Sequence, residues 1–188
     1  MTIDLPSLHA RALRSTGEYV AGVRADQWHE PTPCSDWDVR ALVNHIVSGN
    51  FWAGELMSGK TIEQVGSALD GDLLGADPVA AYTASARIAE EAFDAPGAME
   101  APAAVSYGPV PGEVYAGHRF LDVLVHGWDV AEATGQDATL DPELVEGCIA
   151  VVLPQAEMLA GSGMFGHVHA PAHEDRQSQL LAMLGRDG

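Results

Sequence analysis

Residues 113–134, EVYAGHRFLDVLVHGWDVAEAT, decide the fold, because their polar side chains fall along one line. At about 100° per residue, the polar side chains of a helix here lie within roughly 60° of Asp122, and apolar side chains cover the rest of the surface. The polar stripe consists of His118, Arg119, Asp122, His126 and Asp129, and the apolar surface of Phe120, Leu121, Val123, Leu124 and Trp128. The pattern predicts a helix that is apolar except for one stripe.

Two residues of the stripe have the spacing of a metal-binding pair. Asp122 and His126 are four positions apart, which places their Cβ atoms about 5–6 Å from one another on successive turns. Both side chains could then bind one metal ion. The alternative is that the stripe faces water, as on any amphipathic helix.

The composition is that of a globular protein. The chain has 188 residues, 47% of them hydrophobic and 19% charged, which predicts one domain over residues 1–188. We find no run of 18 apolar residues that could span a membrane, and the N-terminus lacks the charged and apolar regions of a secretory signal. The expected location is the cytoplasm, with no membrane partner.

The charge balance argues against nucleic acid as a partner. The formal net charge is −18, with only nine basic residues, whereas binding to phosphate backbones requires a basic surface. An anionic small molecule would need a local positive centre, such as a metal ion or a buried arginine. The two cysteines, Cys34 and Cys148, are too few for a disulfide framework, and we expect them to be reduced.

Apolar spacing and capping residues predict an all-α bundle with long crossover loops and short additional helices. The expected helices cover residues 4–26, 36–57, 78–93, 113–134 and 142–152, with a single turn at 63–68 and a short helix at 176–184. The expected N-caps are Ser35, with Asp38 in the capping-box position, Asp77 and Asp141. Gly135 suits the end of the fourth long helix. Pro154 is expected to kink or split the fifth helix. Residues 95–112 carry four prolines and are predicted to form a crossover or lid. No segment shows a strong strand pattern.

A third metal ligand is available on the second helix. His45 lies at the edge of that helix's apolar arc, and bundles build metal sites from side chains of facing helices. With Asp122 and His126 it would supply two imidazoles and one carboxylate, the pattern of catalytic zinc and also of the iron facial triad. Alternatively, His45 is an ordinary core or boundary histidine.

Three segments carry a resemblance to a known family. TPCSDWDVRALVNHI (residues 32–46), LDVLVHGWDVAEATGQ (121–136) and LLAMLGRDG (180–188) resemble the DinB-like superfamily, in particular its actinobacterial metal-binding branch related to the mycothiol-dependent maleylpyruvate isomerase N-terminal domain. The resemblance covers nearly the whole chain. It implies a four-helix core, with residues 165–188 as a tail and short helix packing on the bundle. It also implies metal ligation by His45, Asp122 and His126.

The resemblance further implies cofactors and a chemistry. The metal would be divalent, with Zn²⁺ expected and Ni²⁺ or Fe²⁺ as alternatives, and it would bind a low-molecular-weight thiol such as mycothiol. The implied reaction is thiol S-transfer to, or thiol-assisted isomerisation of, a small electrophile, by a monomer or homodimer. The sequence identifies neither the acceptor nor a catalytic residue. A non-catalytic metal-binding module, acting as a carrier, sensor or structural protein, is the alternative, and an iron oxygenase is a third hypothesis.

Other polar residues near the predicted site have more than one interpretation each. Arg119 either binds a substrate carboxylate or pairs with Asp122 or Asp129. Asp129 either hydrogen-bonds to a ligating histidine or is a surface charge. His118 is a fourth ligand, a proton carrier or a solvated side chain.

Outside the stripe, we interpret most candidates as structural. Cys34 precedes a helix N-terminus, which can make a thiol reactive, but a small packing residue is the other interpretation. Trp37 and Trp128 are predicted to be core anchors. The H-x-H-x3-H spacing of His167, His169 and His173 could form a second metal site, although we interpret these three as local substitutions.

Overall fold

The computed structural model describes residues 4–155 and 169–186. The described residues form two compact units, one of residues 4–137 and one of residues 138–155 with 169–186. The elements of the first unit are α1 Leu5–Gly22, α2 Val39–Met57, α3 Ile62–Val65, α4 Pro78–Asp94, β1 Pro102–Val105, β2 Gly108–Pro111 and α5 Gly112–Thr134. The predicted all-α, DinB-like fold class is confirmed, whereas the single domain over 1–188 stays a prediction.

Four long helices of the first unit pack as a bundle. α1 lies against α5 and α4, and α2 lies against the same two helices. Each helix buries an apolar face, and the fully buried large side chains include Leu13, Leu42, Ile46, Phe93, Phe120 and Leu124. Burying a side chain of this size contributes about 1.5–3 kcal/mol. The apolar spacing of the sequence therefore corresponds to the bundle core.

A glycine lets α1 and α5 approach closely. A Cβ atom at Gly127 would collide with the Thr16 hydroxyl, and that hydroxyl donates a hydrogen bond to the Val123 carbonyl at 3.0 Å. The contact lies one residue from His126, so it holds that turn of α5 against α1.

Most helix boundaries agree with the sequence predictions. Asp77 caps α4, which begins at Pro78, and α5 ends at Thr134 and is capped by Gly135, whose φ of 67° is left-handed. The first helix is shorter than predicted. It ends at Gly22 rather than at residue 26, because Arg24 and Gln27 form a turn closed by two hydrogen bonds between them.

The predicted start of α2 was wrong. We expected Ser35 to cap the helix, but the cap is Asp38, whose carboxylate accepts the Ala41 amide at 2.8 Å. Residues 32–37 are held outside the helix because the Thr32 hydroxyl donates to the Cys34 and Trp37 carbonyls. Aspartate is as favourable an N-cap residue as serine, because its side-chain oxygen accepts an amide of the first helical turn in the same way.

The proline-rich segment contains a hairpin that the sequence did not predict. β1 and β2 pair antiparallel in a register that sets Pro102 opposite Pro111. These prolines lie at strand ends, where a missing N–H is tolerated. Gly108 has a φ of 112°, a conformation that favours glycine, and it begins the second strand. Residues 95–111 are therefore non-helical, as predicted, but partly paired, whereas Gly112 already belongs to α5.

The second unit contains α6 Pro142–Val152, a 3-10 turn Leu153–Gln155 and α7 Arg176–Met183. The turn contains Pro154, where a kink was predicted. α6 and α7 pack together, and Arg176 pairs with Glu146 through two hydrogen bonds. Across both units, no helix among the described residues has the length and apolar character needed to cross a bilayer.

Candidate metal centre

The three predicted ligands lie side by side between α2 and α5. His45 Nε2 is 3.1 Å from Asp122 Oδ1, and His126 Nε2 is 3.5 Å from the same oxygen. The donor atoms of all three residues lie within 4.8 Å of one another. The packing of α2 on α5 thus brings His45 to a pair 77 and 81 positions away.

The donor set suits a divalent metal ion. Zinc binds imidazole nitrogen and carboxylate oxygen at about 2.0–2.2 Å, so two ligands of a tetrahedral site are about 3.4 Å apart. The two separations at Asp122 Oδ1 match this spacing. The side chains of His45 and Asp122 are 35% and 19% exposed, whereas that of His126 is 6% exposed. The group therefore opens toward solvent on the His45 side.

Asp129 holds His126 in one orientation. The Asp129 carboxylate is fully buried, and its Oδ2 accepts from His126 Nδ1 at 2.9 Å. An N–H on Nδ1 leaves the lone pair of a neutral imidazole on Nε2, which faces Asp122. Asp129 therefore has the position predicted for the partner of a ligating histidine, and it is not a surface charge.

Arg119 crosses the face of α2 and binds Asp122. Its Nη1 donates to Asp122 Oδ2 at 2.8 Å, and its Nη2 donates to Asn50 Oδ1 at 3.3 Å and to the Ile46 carbonyl at 3.5 Å. Gly49 makes this possible, since a Cβ atom there would collide with the guanidinium. The predicted pairing with Asp122 is present. A substrate-binding role for Arg119, which is 7% exposed, stays a prediction.

The charges around Asp122 keep it ionised. Burial raises the pKa of this carboxyl, but the Arg119 guanidinium and the imidazoles of His126 and His45 outweigh burial and hold the pKa well below its usual range. Arg119 binds Oδ2, which leaves Oδ1 facing the two histidines. An ionised oxygen between two imidazole nitrogens is a ready ligand for a cation.

Trp37 was predicted to be a core anchor, but its ring lies against two of the three candidate ligands. Its ring stacks on the His45 ring at a centroid distance of 4.5 Å and meets the His126 ring edge-on at 5.7 Å. Trp37 is only half-buried. Its sequence position gave no direct signal, because the turn that folds it over α2 depends on the Thr32 hydroxyl. Trp128, by contrast, is buried as predicted.

His118 forms a hydrogen bond with a residue of the hairpin. Tyr107, between the two strands, lies 2.5 Å from His118 Nδ1 through its hydroxyl. His118 belongs to neither group of potential metal ligands among the described residues. A role as a fourth ligand and a role as a proton carrier both stay predictions. The Tyr107 contact had no signal in the sequence.

A second group of potential ligands shares His126. Cys34, His126 and Asp129 also have donor atoms within 4.8 Å of one another. The Cys34 side chain is half-buried and lies in the turn before α2. The sequence analysis treated Cys34 and Asp129 separately, since only the fold shows that they meet.

The predicted tail site is only partly within the described residues. His167 lies outside them. His169 Nδ1 is 2.9 Å from the Ala170 carbonyl, and His173 is exposed. Neither belongs to a group of three metal donors in residues 4–155 and 169–186.

The fold and the site together define a helical bundle with a candidate metal centre between two of its helices. Residues 9–131, which lie within the first unit, match the family model of the mycothiol maleylpyruvate isomerase N-terminal domain. The chain belongs to this family, which is mycothiol-related and of the DinB-like, metal-binding kind.

Similar proteins occur in mycobacteria. Two uncharacterised proteins of Mycobacterium tuberculosis, from strains CDC 1551 and H37Rv, are each 40% identical to this chain over 181 residues. Each alignment covers 95% of both chains. No solved structure gives a significant match.

Proposed function

We propose that this protein binds a divalent metal ion through His45, Asp122 and His126 and uses it, with a low-molecular-weight thiol, to modify a small electrophile. Zn²⁺ is the expected metal, and Ni²⁺ or Fe²⁺ would use the same donors. Mycothiol is the expected thiol, and S-transfer or isomerisation is the expected reaction. The observation that carries the proposal is the position of one ionised oxygen, Asp122 Oδ1, at 3.1 and 3.5 Å from two imidazole nitrogens.

Three ligands leave a position for the thiol. Catalytic zinc sites have three protein ligands and one open position, whereas structural sites are closed by a fourth. The more exposed side chain of the group is that of His45, so a small molecule would approach from that side. When bound, the metal would stabilise the thiolate, which is the nucleophilic form of a thiol.

The residues around the donors support a preorganised site. Asp129 orients the Nε2 atom of His126, and Arg119 holds the second oxygen of Asp122. The stacked ring of Trp37 restricts His45. Such partners of metal ligands commonly contribute about 10–100-fold to metal affinity.

The charge of the chain favours a neutral electrophile. A net charge of −18 disfavours the approach of anions. The buried Arg119 is already bound to Asp122, so it offers little compensation to an anionic acceptor.

Metal analysis and calorimetry would test the proposal. We expect one divalent ion per chain, and we expect mycothiol to bind the metal-loaded protein. Both signals should vanish in His126→Ala. His173→Ala is the matched control, because this exposed histidine lies in the other unit and should leave both signals unchanged.

Two results would overturn parts of this account. Full metal occupancy of His45→Ala and His126→Ala under competition with a chelator would exclude this donor set. A metal-loaded protein that binds no low-molecular-weight thiol would exclude the thiol chemistry, and the non-catalytic metal-binding module would then be the better account.

A further inference from the structure

The group formed by Cys34, His126 and Asp129 includes a carboxylate that contacts a different nitrogen of His126 from the one that faces Asp122. Asp122 Oδ1 faces His126 Nε2, whereas Asp129 Oδ2 is 2.9 Å from His126 Nδ1. The Cys34 sulfur lies within 4.8 Å of the donor atoms of both partners. One histidine therefore stands between two sets of three donors.

We propose that Cys34, His126 and Asp129 form a second metal-binding set, selective for thiophilic ions such as Cd²⁺. The proposal goes beyond the function given above, since it involves neither His45 nor Asp122 and needs no thiol cofactor. Its donors differ in kind from the first set: a thiolate replaces the second imidazole. Soft sulfur ligands select thiophilic ions, whereas imidazole and carboxylate alone do not.

The turn before α2 supports this role for Cys34. The Cys34 amide donates to Thr32 Oγ1 at 3.1 Å, and the same hydroxyl donates to the Cys34 carbonyl at 3.0 Å. The backbone of Cys34 is thereby fixed while its side chain stays half-buried. Cys34 is therefore more accessible to solvent than its two partners, since His126 and Asp129 are both buried.

The shared histidine makes the two sets mutually exclusive. A neutral imidazole has one nitrogen with a free lone pair, and its other nitrogen carries the proton. The first set uses Nε2 of His126, with Nδ1–H donated to Asp129. On the Asp129 side the available nitrogen is Nδ1, so binding there requires the opposite tautomer. One chain should therefore hold one ion at a time.

A Cd²⁺ titration of the full chain, without added thiol, would test the proposal. Thiolate bound to Cd²⁺ gives a charge-transfer absorption in the near ultraviolet. We expect this absorption in the wild type, and we expect it to saturate at one ion per chain. In Cys34→Ser the absorption should be lost, and the affinity for Cd²⁺ should fall by about tenfold or more. His45→Ala should keep the absorption, whereas His126→Ala should lose it.

A second measurement avoids variants. Cd²⁺ should slow the alkylation of Cys34 by iodoacetamide in the wild type by about tenfold or more, as mapped by peptide mass spectrometry, whereas an equal concentration of Mg²⁺ should not.

An absorption that persists in Cys34→Ser would assign the thiolate to Cys148 and overturn the proposal. Loss of the absorption in His45→Ala would show that the thiolate-bound ion also needs a ligand of the first set, and this result would overturn the proposal. A Cys34 that Cd²⁺ leaves unprotected would overturn it as well. Each of these outcomes is independent of whether Zn²⁺ and mycothiol bind at the first set.

Discussion

Two buried histidines of the first unit, His126 on α5 and His9 on α1, have opposite surroundings. His126 is bound to the carboxylate of Asp129 through one nitrogen and faces Asp122 with the other. His9 is fully buried, and neither of its ring nitrogens has a hydrogen-bond partner in the part of the chain that the structure describes. Its ring meets the Phe93 ring edge-on at 5.0 Å.

The different surroundings of the two histidines distinguish a candidate metal ligand, His126, from a packing residue, His9. Burial, and to a lesser extent the nearby charge of Arg119, lower the pKa of His9 to about 3 against a smaller opposing effect of Asp122. His9 is therefore a neutral, apolar-like side chain. What makes His126 a candidate ligand is not its burial but the two carboxylates that contact its ring and the partly exposed His45 beside it.

The largest expected effect is on the acid stability of His9→Leu. Because the pKa of His9 lies near 3 in the folded chain and near 6.5 in the unfolded one, only the unfolded chain binds this proton between those values. The wild type should therefore lose roughly 3 kcal/mol between pH 7 and pH 4 through His9, and His9→Leu should not. Urea unfolding of both proteins at the two pH values measures the difference.

The exposed His173 provides the control for this effect. His173→Leu should leave the pH dependence of the unfolding free energy as in the wild type, since other groups contribute equally to both proteins. If His9→Leu and the wild type lost the same free energy on acidification, His9 would have a partner and the contrast with His126 would fail.

The next largest effect is expected from Asp129. Asp129→Ala leaves the buried Nδ1–H of His126 without an acceptor, which should cost about 1–3 kcal/mol of unfolding free energy. It should also lower metal affinity by about 10–100-fold. Denaturant unfolding and chelator competition measure the two quantities.

Asp129→Asn is the matched comparison, because its amide oxygen can still accept the Nδ1–H. We expect it to retain more stability and more metal affinity than Asp129→Ala. Equal losses in the two variants would mean that the carboxylate charge, rather than the orientation of His126, is what matters.

The smallest effect concerns a third histidine, His118, which is half-buried and bonded to Tyr107. This hydrogen bond should contribute about 0.5–1 kcal/mol, less than the buried bond at His126. A double-mutant cycle of Tyr107→Phe and His118→Ala, followed by thermal unfolding, isolates it. A coupling energy near zero would show that the hairpin is held to α5 by other contacts.

Local rules predicted most of the fold because they depend on neighbours in sequence. Asp77 with Pro78, and Gly135, mark helix ends through backbone groups within a few residues. The rules failed where tertiary contacts competed. Residues 32–37 have helix-start chemistry, yet the Thr32 hydroxyl and the bridge between Pro31 and Asp38 hold them as a turn.

The sequence by itself determined that α5 carries a polar stripe and that Asp122 and His126 share one face of it. The helix period sets that relation without reference to the rest of the chain. Only the tertiary structure decided which residues meet this pair. His45 reaches Asp122 across 77 positions because α2 packs on α5, and Cys34 comes within reach of His126 and Asp129 through the turn before α2. Such contacts depend on how helices pack, which no local pattern encodes.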